Sequence, residues 1–493
     1  MLKKFWRISS LKYLAAFLIP LVFVMMTTQG LDNDSWGVLA EGRYIANNGV
    51  YYEDVLSMHD GLSTVVQNYG FAVIFYWIFN LFGAAGIYVF MLVLSFLVCL
   101  FVYKICMLIS EKNTNLSLLL MMITSIVLTF SGFSVTRAQM VSFVIFLALI
   151  YVLELYVKTG KKKYLWWIPA FSLAQVNLHA SLWPMLFLVI LTFMVDMFVT
   201  SKIEHKKEHK IVPLFVSGAV SLLLGLINPY GLSMLTVMFK VYGDAAFSDL
   251  VIELSPFGPL ENAENAIFYI LLGAVIFLYA FGKRQNARIR YLLMLLGFLA
   301  LGLNTIKGLS QVILVMFFPL ALLYKNVKIG KIFDVKICNN AAVAWVGGLA
   351  LLTFVAVLPV VMLGVSNDYP EHGLVEAMDI IDVYEDGRDK RSLKIYTGYN
   401  IGGYVEYRGY RAYMDPRGCD FMKKLNGRED ILQEWVDFRG GKIDKNEFLS
   451  KYSFDYLIAE NDPFYGSAND GYELVYKNED TKLEVYKKIQ LVD

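Results

Sequence analysis

Runs of apolar residues that repeatedly approach the roughly 20 residues needed to cross a bilayer core constrain this chain more than any other feature. Candidate spans fall near 13–29, 86–107, 115–132, 138–157, 164–178, 181–200, 211–228, 266–282, 291–306, 309–324 and 341–364. Charged residues make up 18% of the chain, against about 25% in soluble globular domains. A soluble fold is therefore excluded, and a polytopic α-helical membrane protein is expected.

One further apolar stretch, 65–82, decides the topology, because counting it as a span flips every later loop. If it does not span, the loops on the N-terminal side hold 22 basic residues, among them Lys161-Lys162-Lys163, Lys202 to Lys210 and Lys283 to Arg290. The opposite side keeps four: Arg43, Arg137, Lys240 and Lys307. That division obeys the positive-inside bias, and the alternative violates it. About eleven spans are expected, with 65–82 a juxtamembrane helix at the outer interface, where Tyr76 and Trp77 suit the headgroup region. The N-terminus is then cytoplasmic. The segment from Val365, with 18 Lys+Arg against 26 Asp+Glu, lies outside the cell, whereas residues 1–364 carry 26 against 17. The expected domains are thus 1–364, membrane-embedded, and 365–493, extracytoplasmic. Lys3, Lys4 and Arg7 precede the first run without a cleavage site, which reads as a retained anchor. The four cysteines have no metal-site spacing, and only Cys419 lies after Val365.

With this topology the unusual polar groups gather on the outer face. The first outer loop supplies Asp32, Asp34, Glu53, Asp54, His59 and Asp60. Later outer loops add Arg137 and Gln139, Asn177 and His179, Asn228-Pro229-Tyr230-Gly231, Glu253 and Lys307. Plainer alternatives stand beside each. Asp34 or Ser35 would cap a helix running to Asn48, with Gly49 as its stop. Asn228 to Gly231 reads as a turn, His179 as a histidine satisfied by backbone, and Glu253 as a solvated acid. Arg137 and Lys307 are harder to dismiss, because the topology keeps cations off this face. A lipid phosphate would be gripped by an Arg fork and a Lys point charge.

Acids that activate a hydroxyl, together with cations for a phosphate leaving group, fit one reaction. A carboxylate takes a proton from an acceptor hydroxyl, which attacks the anomeric carbon of a lipid-phosphate sugar, and cations stabilise the departing phosphate. Asp34 is the candidate base and Asp32 its partner. Two apart in an extended segment, they would face the same way, sharing either a proton or a divalent cation. Arg137 and Lys307 would hold the phosphate, while Gln139, Asn177, His179, Glu253 and His59 would line the substrate site.

The acidic motif after the first span, followed by an interfacial helix and many spans, resembles the C-type (GT-C) integral-membrane glycosyltransferases, the group that includes protein mannosyltransferases and lipid A aminoarabinose transferases. The resemblance implies that an acid of the first outer loop acts at the catalytic centre, which falls here on Asp32 and Asp34. The acidic pair reads Asp-Asn-Asp in this chain where the superfamily carries Asp-Glu. Arg137 falls where those enzymes carry a basic residue at the outer end of a span. Asp32-x-Asp34-x-Trp36, Arg137-x-Gln139, Asn177-Leu-His179, Asn228-Pro-Tyr-Gly231, Ile252-Glu253-x-Ser255-Pro256, Gly402-Gly403-Tyr404 and Asp415-x-Arg417 also resemble a bacterial multi-spanning family of the same architecture. The implied partners are a polyprenyl-phosphate sugar donor, a glycan, lipid or protein acceptor, and membrane lipids. No nucleic acid is expected.

From Val365 the pattern changes to that of a small α/β domain. Helices are expected over 373–384, 428–438 and 444–452, the last opened by an Asp444/Glu447 capping box. Strands are expected over 393–397, 411–414, 456–459, 473–476 and 483–487. The Gly398 to Tyr404 turn has the wrong glycine spacing for a dinucleotide fingerprint. Asp415-Pro416-Arg417 would contact a glycan acceptor or form a structural salt bridge. The rival functions are a transporter or flippase of lipid-linked glycans, which would show paired repeats and charges midway through spans, and a non-catalytic envelope-assembly protein.

Overall fold

The computed structural model describes residues 8–27, 31–202, 210–241, 272–273, 275–276, 288–326, 340–366, 373–460, 462–467 and 469–489. The chain divides into two compact units. The first comprises residues 1–29, 88–227 and 251–364, and the second comprises 30–87, 228–250 and 365–493.

The first unit is helical. Its elements are α1 (Ile8–Thr27), the C-terminal part of α3 (Tyr69–Ile109), α4 (Thr114–Phe130), α5 (Gln139–Thr159), α6 (Trp167–Leu178), α7 (Trp183–Lys202), α8 (Ile211–Leu224), α10 (Ile289–Asn304), α11 (Leu309–Val315), α12 (Phe318–Leu323) and α13 (Asn340–Ser366). Among the described residues four helical stretches are long and apolar enough to cross a membrane: Tyr69–Ile109, Gln139–Thr159, Ala180–Lys202 and Ile306–Leu323. The others are shorter apolar helices. The expected span 266–282 falls largely outside the described residues. The expected span at 309–324 is two short helices meeting at Met316 and Phe317.

Helix α5 is deeply buried, with Phe143, Leu147, Leu149, Ile150 and Leu153 at or near zero exposure. Phe146 meets Phe298 of α10 edge-on at 5.3 Å. One internal ion cluster ties α5, α7 and α10 together. Arg290 forms a bidentate pair with Glu154 (2.8 and 2.8 Å) and a single bond to Asp196 (2.6 Å), while the Tyr291 hydroxyl donates to Glu154 at 2.7 Å. The sequence reading counted Arg290 among the loop cations. It is instead 5% exposed, because two acids from neighbouring helices compensate its desolvation.

The stretch 65–82 does not run straight into the following helix. Gly83 (φ 63, ψ −163) breaks α3 into a segment ending at Phe82 and a segment beginning at Ala84. Those angles lie outside the helical region and favour glycine. Before the break, Phe71, Ala72 and Phe75 are buried while Ile74, Trp77, Leu81 and Phe82 are exposed.

The second unit joins the polar loop after the first apolar helix to the C-terminal segment. Its sheet has the order β2-β1-β3-β5-β4, formed by β1 (Lys394–Tyr396), β2 (Arg411–Ala412), β3 (Tyr456–Glu460), β4 (Tyr472–Asn478) and β5 (Leu483–Lys488). β1 is parallel to β2 and β3, and the β3–β5 and β5–β4 pairs are antiparallel. The helices of this unit are α2 (Asn33–Asn48), the Tyr69 to Phe82 part of α3, α9 (Leu232–Val241), α14 (Leu374–Tyr384), α15 (Gly402–Tyr407), α16 (Ile431–Arg439) and α17 (Lys445–Tyr452). Asp444 caps α17 by accepting from the Asn446 and Glu447 amides, so the capping reading holds. An aromatic core of Tyr396, Tyr413, Phe438, Phe448, Phe454 and Phe464 lies under the sheet, with Phe438 and Phe448 stacked at 4.1 Å. The outer loop extends the sheet edge: Ser57 bridges Ala412 in parallel, and the Met58 amide donates to the Ala412 carbonyl at 2.8 Å.

Candidate functional site

The acidic motif opens α2. Asp32 is the N-cap, its carboxylate accepting from the Ser35 amide (2.9 Å) and the Ser35 hydroxyl (2.6 Å). Asp34 lies in the first helical turn. The expectation of an extended pair facing one way is therefore corrected. Capping an exposed helix start satisfies amides that would otherwise lack partners, and Asp32 serves that need. The helix ends where the capping alternative placed it, at Asn48, with Gly49 (φ 87) beyond.

Helix α2 is held closely on two sides. The Trp36 ring packs edge-on or tilted against Tyr404 (4.9 Å), Tyr407 (5.0 Å) and Phe79 (5.7 Å). Arg43 lies over the Tyr407 ring and donates to the Glu406 carbonyl at 3.1 Å. Gly42 sits against the Ala72 carbonyl with no room for a Cβ, and Gly403 approaches the Gly37 amide and the Asn33 carbonyl closely, though less tightly. The Gly402-Gly403 pair thus serves helix packing.

Beyond α2 the outer loop is bound by charge. Arg417 donates to both oxygens of Asp415 (3.0 and 2.6 Å), to Asp54 (2.7 Å) and to Glu406 (3.1 Å). The side chains of all three acids are fully buried. The salt-bridge reading of Asp415-Pro416-Arg417 is the one observed. Burial works to raise the Asp54 pKa, but the Arg417 charge, with bonds from the Leu56 and Ser57 amides, wins and holds it below the ordinary carboxylate value. Burial lifts Glu406 well above its usual value, opposed by Arg417 and reinforced by Asp415 and Asp54.

Two further acids complete the cluster. Glu41, on the otherwise apolar face of α2, is pushed by burial up to about 8, against the Arg417 charge and with Asp420, Asp415 and Asp54 adding to it. Asp420 is pushed by burial up to about 7, again against Arg417, although it accepts from the Thr64 hydroxyl at 2.5 Å. Five carboxyls thus surround one guanidinium, and the cluster resolves the imbalance by keeping protons.

His59 belongs to the same unit but to the aromatic core. Its Nε2 lies 2.9 Å from the Tyr413 carbonyl, and its ring meets Tyr413, Phe421 and Tyr452. Asn228 to Gly231 forms the expected turn, with Asn228 accepting from the Tyr230 amide at 2.9 Å. The Tyr230 hydroxyl then donates to the Tyr51 carbonyl at 2.9 Å.

In the first unit, a buried polar network brings several of the remaining candidates together at the N-terminal end of α5. His179 Nδ1 lies 2.7 Å from the Ser142 hydroxyl and Nε2 lies 2.7 Å from the Ser181 hydroxyl. The Gln175 amide donates to Ser142 (2.7 Å) and to the His179 carbonyl (2.6 Å). One turn before Ser142, the Gln139 amide donates to Ser310 at 3.3 Å, and Ser310 donates to the Lys307 carbonyl at 2.8 Å. Side chains, not backbone alone, therefore satisfy the His179 ring. Asn177 ties α6 to the segment after α8, donating to the Leu173 and Ile227 carbonyls. Arg137 occupies the turn before α5, its amide donating to the Val135 carbonyl at 2.8 Å.

Glu253 lies outside the described residues. Glu41, Thr64, Glu406 and Asp420 in one unit, and Ser142, Gln175 and Ser310 in the other, were not singled out from sequence. The available signal was an acid or amide set among the apolar residues of a helical face, as Glu41 is among Leu39, Ala40 and Ile45. Among the described residues no group of three or more His, Cys, Asp or Glu side chains is arranged to hold a metal ion.

No protein-family profile matches the sequence, and no curated protein matches it. The structure is similar to the crystal structure of the Archaeoglobus fulgidus oligosaccharyltransferase tethered to an acceptor peptide containing the NVT sequon. The TM-score is 0.56 at 11% identity, covering 92% of this chain and 69% of that one. The likeness shows a shared fold.

Proposed function

We propose that this protein is a membrane glycosyltransferase that moves a sugar from a polyprenyl-phosphate-linked donor to a cell-surface glycan, lipid or protein acceptor on the outer face of the membrane. The observation that carries this reading is the oligosaccharyltransferase-like fold, extending over 92% of the chain, in which an acid-bearing helix follows the first apolar helix. The eleven-span topology, with a cytoplasmic N-terminus and an extracytoplasmic C-terminal segment, belongs to the same proposal. So does the division at residue 364, with the first outer loop packed onto the extracytoplasmic part.

The proposal gives each candidate residue a role. Asp34 is the base that accepts the acceptor hydroxyl's proton. Asp32 holds the helix start that carries it. Lys307 and Arg137 stabilise the phosphate as its charge develops. Gln139 and His179 hold the ends of α5 and α6 in shape through their serine partners, and Asn177 does the same for α8. Glu253 contributes to the sugar site. His59 acts within the aromatic core.

Profiling envelope glycans and lipid-linked sugars in a deletion strain tests the reaction class. The expected result is one glycan lacking a sugar while a polyprenyl-phosphate sugar accumulates. Unchanged glycans and donors would overturn the proposal. Accumulation confined to the inner leaflet would favour the flippase reading instead.

A further inference from the structure

We propose that Gly403 is a positioning residue for the transfer reaction, a step that rests on the function proposed above: the absence of a side chain lets α15 seat against the first turn of α2 and fixes where Asp34 stands.

The contact is between backbones, so it cannot yield the way a flexible side chain would. A Cβ at Gly403 would lie 2.7 Å from the Gly37 nitrogen, 2.9 Å from the Asn33 oxygen and 3.1 Å from the Gly37 Cα. Asn33 sits between the capping acid and Asp34. Helix α15 has no room to retreat, because a Cβ at the preceding Gly402 would meet the Met414 carbonyl and lie 2.9 Å from the Asp415 Cα. The Trp36 ring between Tyr404 and Tyr407, and the Arg43 bond to Glu406, press the same two helices together.

The opposite glycine behaves differently. A Cβ at Gly37 would meet only Pro416, at 3.9 Å, which is ordinary van der Waals contact. Helix propensity alone predicts that alanine is tolerated at both positions. The close approach predicts that only Gly37 tolerates it. Relieving the closest overlap at Gly403, from 2.7 Å to the 3.4 Å of an ordinary contact, moves the first turn of α2 by about 0.7 Å. A displacement of about 1 Å can cost 100-fold in rate, so a loss of about tenfold is expected.

The test uses full-length protein in lipid nanodiscs, with two readouts for Gly403→Ala, Gly37→Ala and Asp34→Asn. One is hydrogen exchange over residues 33–37. The other is transfer from synthetic polyprenyl-phosphate-[14C]hexoses (glucose, mannose, galactose) to envelope acceptor from a deletion strain. Gly403→Ala should raise exchange over 33–37 and lower kcat about tenfold without a matching rise in donor KM, while Gly37→Ala matches wild type in both. Wild-type exchange in Gly403→Ala overturns the inference, as does raised exchange with undiminished kcat. If Gly403→Ala does not accumulate, Tyr404→Leu loosens the same contact without overlap and must shift both readouts in the same direction, or the inference fails. Full transfer by Asp34→Asn would instead locate the failure in the role given to Asp34.

Discussion

Replacing Glu41 by Gln removes one of the protons that the second unit keeps at neutral pH, and its effect can be worked through with sign. In the folded protein Glu41 titrates near 8, against an ordinary 4.5. Between those values the folded chain holds a proton that the unfolded chain has released, so stability falls as pH rises. The contribution is fully present below about 4.5 and lost by about 8. Each pKa unit is worth 1.36 kcal/mol, which bounds the loss at about 5 kcal/mol. Asp420 adds a slope of the same sign, ending near 7. Asp54 is shifted the other way and acts only below the ordinary aspartate range. Gln fills the same space without titrating. Glu41→Gln should therefore be within about 1 kcal/mol of wild type at pH 5 and more stable by a few kcal/mol at pH 8. The local readout is hydrogen exchange of the outer-loop amides that bind within this unit, such as Asp54 to Leu62 (2.7 Å) and Thr64 to Tyr52 (3.0 Å). Equal pH slopes in wild type and Glu41→Gln, or a variant less stable at pH 8, would refute the reasoning.

Three further outcomes follow from the buried charges and the candidate phosphate ligands. Arg417→Met strands Asp54, Glu406 and Asp415 without a cation and should cost at least about 3–5 kcal/mol, read as loss of protease resistance in the outer loop and recovered in part on acidification. Arg290→Met leaves Glu154 and Asp196 buried without their cation, with a similar expected cost of about 3–5 kcal/mol, seen as a lower melting temperature in detergent. Lys307→Gln should raise the donor KM and lower kcat/KM, with the melting temperature unchanged.

The architecture was legible where one physical period dominates. Among the described residues apolar runs marked the helices, and short stretches rich in apolar and aromatic residues marked β3, β4 and β5 to within a residue or two, because both kinds of element are held by burial. The stretch 65–82 and the span after it were legible as separate segments, and Gly83 supplies the break between them; the side of the membrane given to each loop rests on the positive-inside bias. The same bias misplaced Arg290, because a loop cation and a buried one paired across three helices look alike until the partners Glu154 and Asp196 are seen together. The site was legible as residue types rather than as geometry. Asp32 and Asp34 drew attention as an acidic pair, yet helix capping separates their tasks, and periodicity alone did not place the helix start there. The Arg417 cluster was legible only as a local Asp415–Arg417 pair. Glu406 and Asp420 lie near Arg417 in the same segment, whereas Glu41 and Asp54 come from a distant part of the sequence and join it only when the loop after the first apolar helix folds onto the C-terminal segment.

The most direct measurement is sugar transfer by Asp34→Asn, since the account gives that carboxylate the acceptor's proton. Membranes of a deletion strain carrying the variant should contain as much protein as wild type and protect the 33–37 amides from exchange equally well. The account predicts that they transfer no labelled sugar from a polyprenyl-phosphate donor, at any pH. Transfer at the wild-type rate by a variant so folded would contradict it.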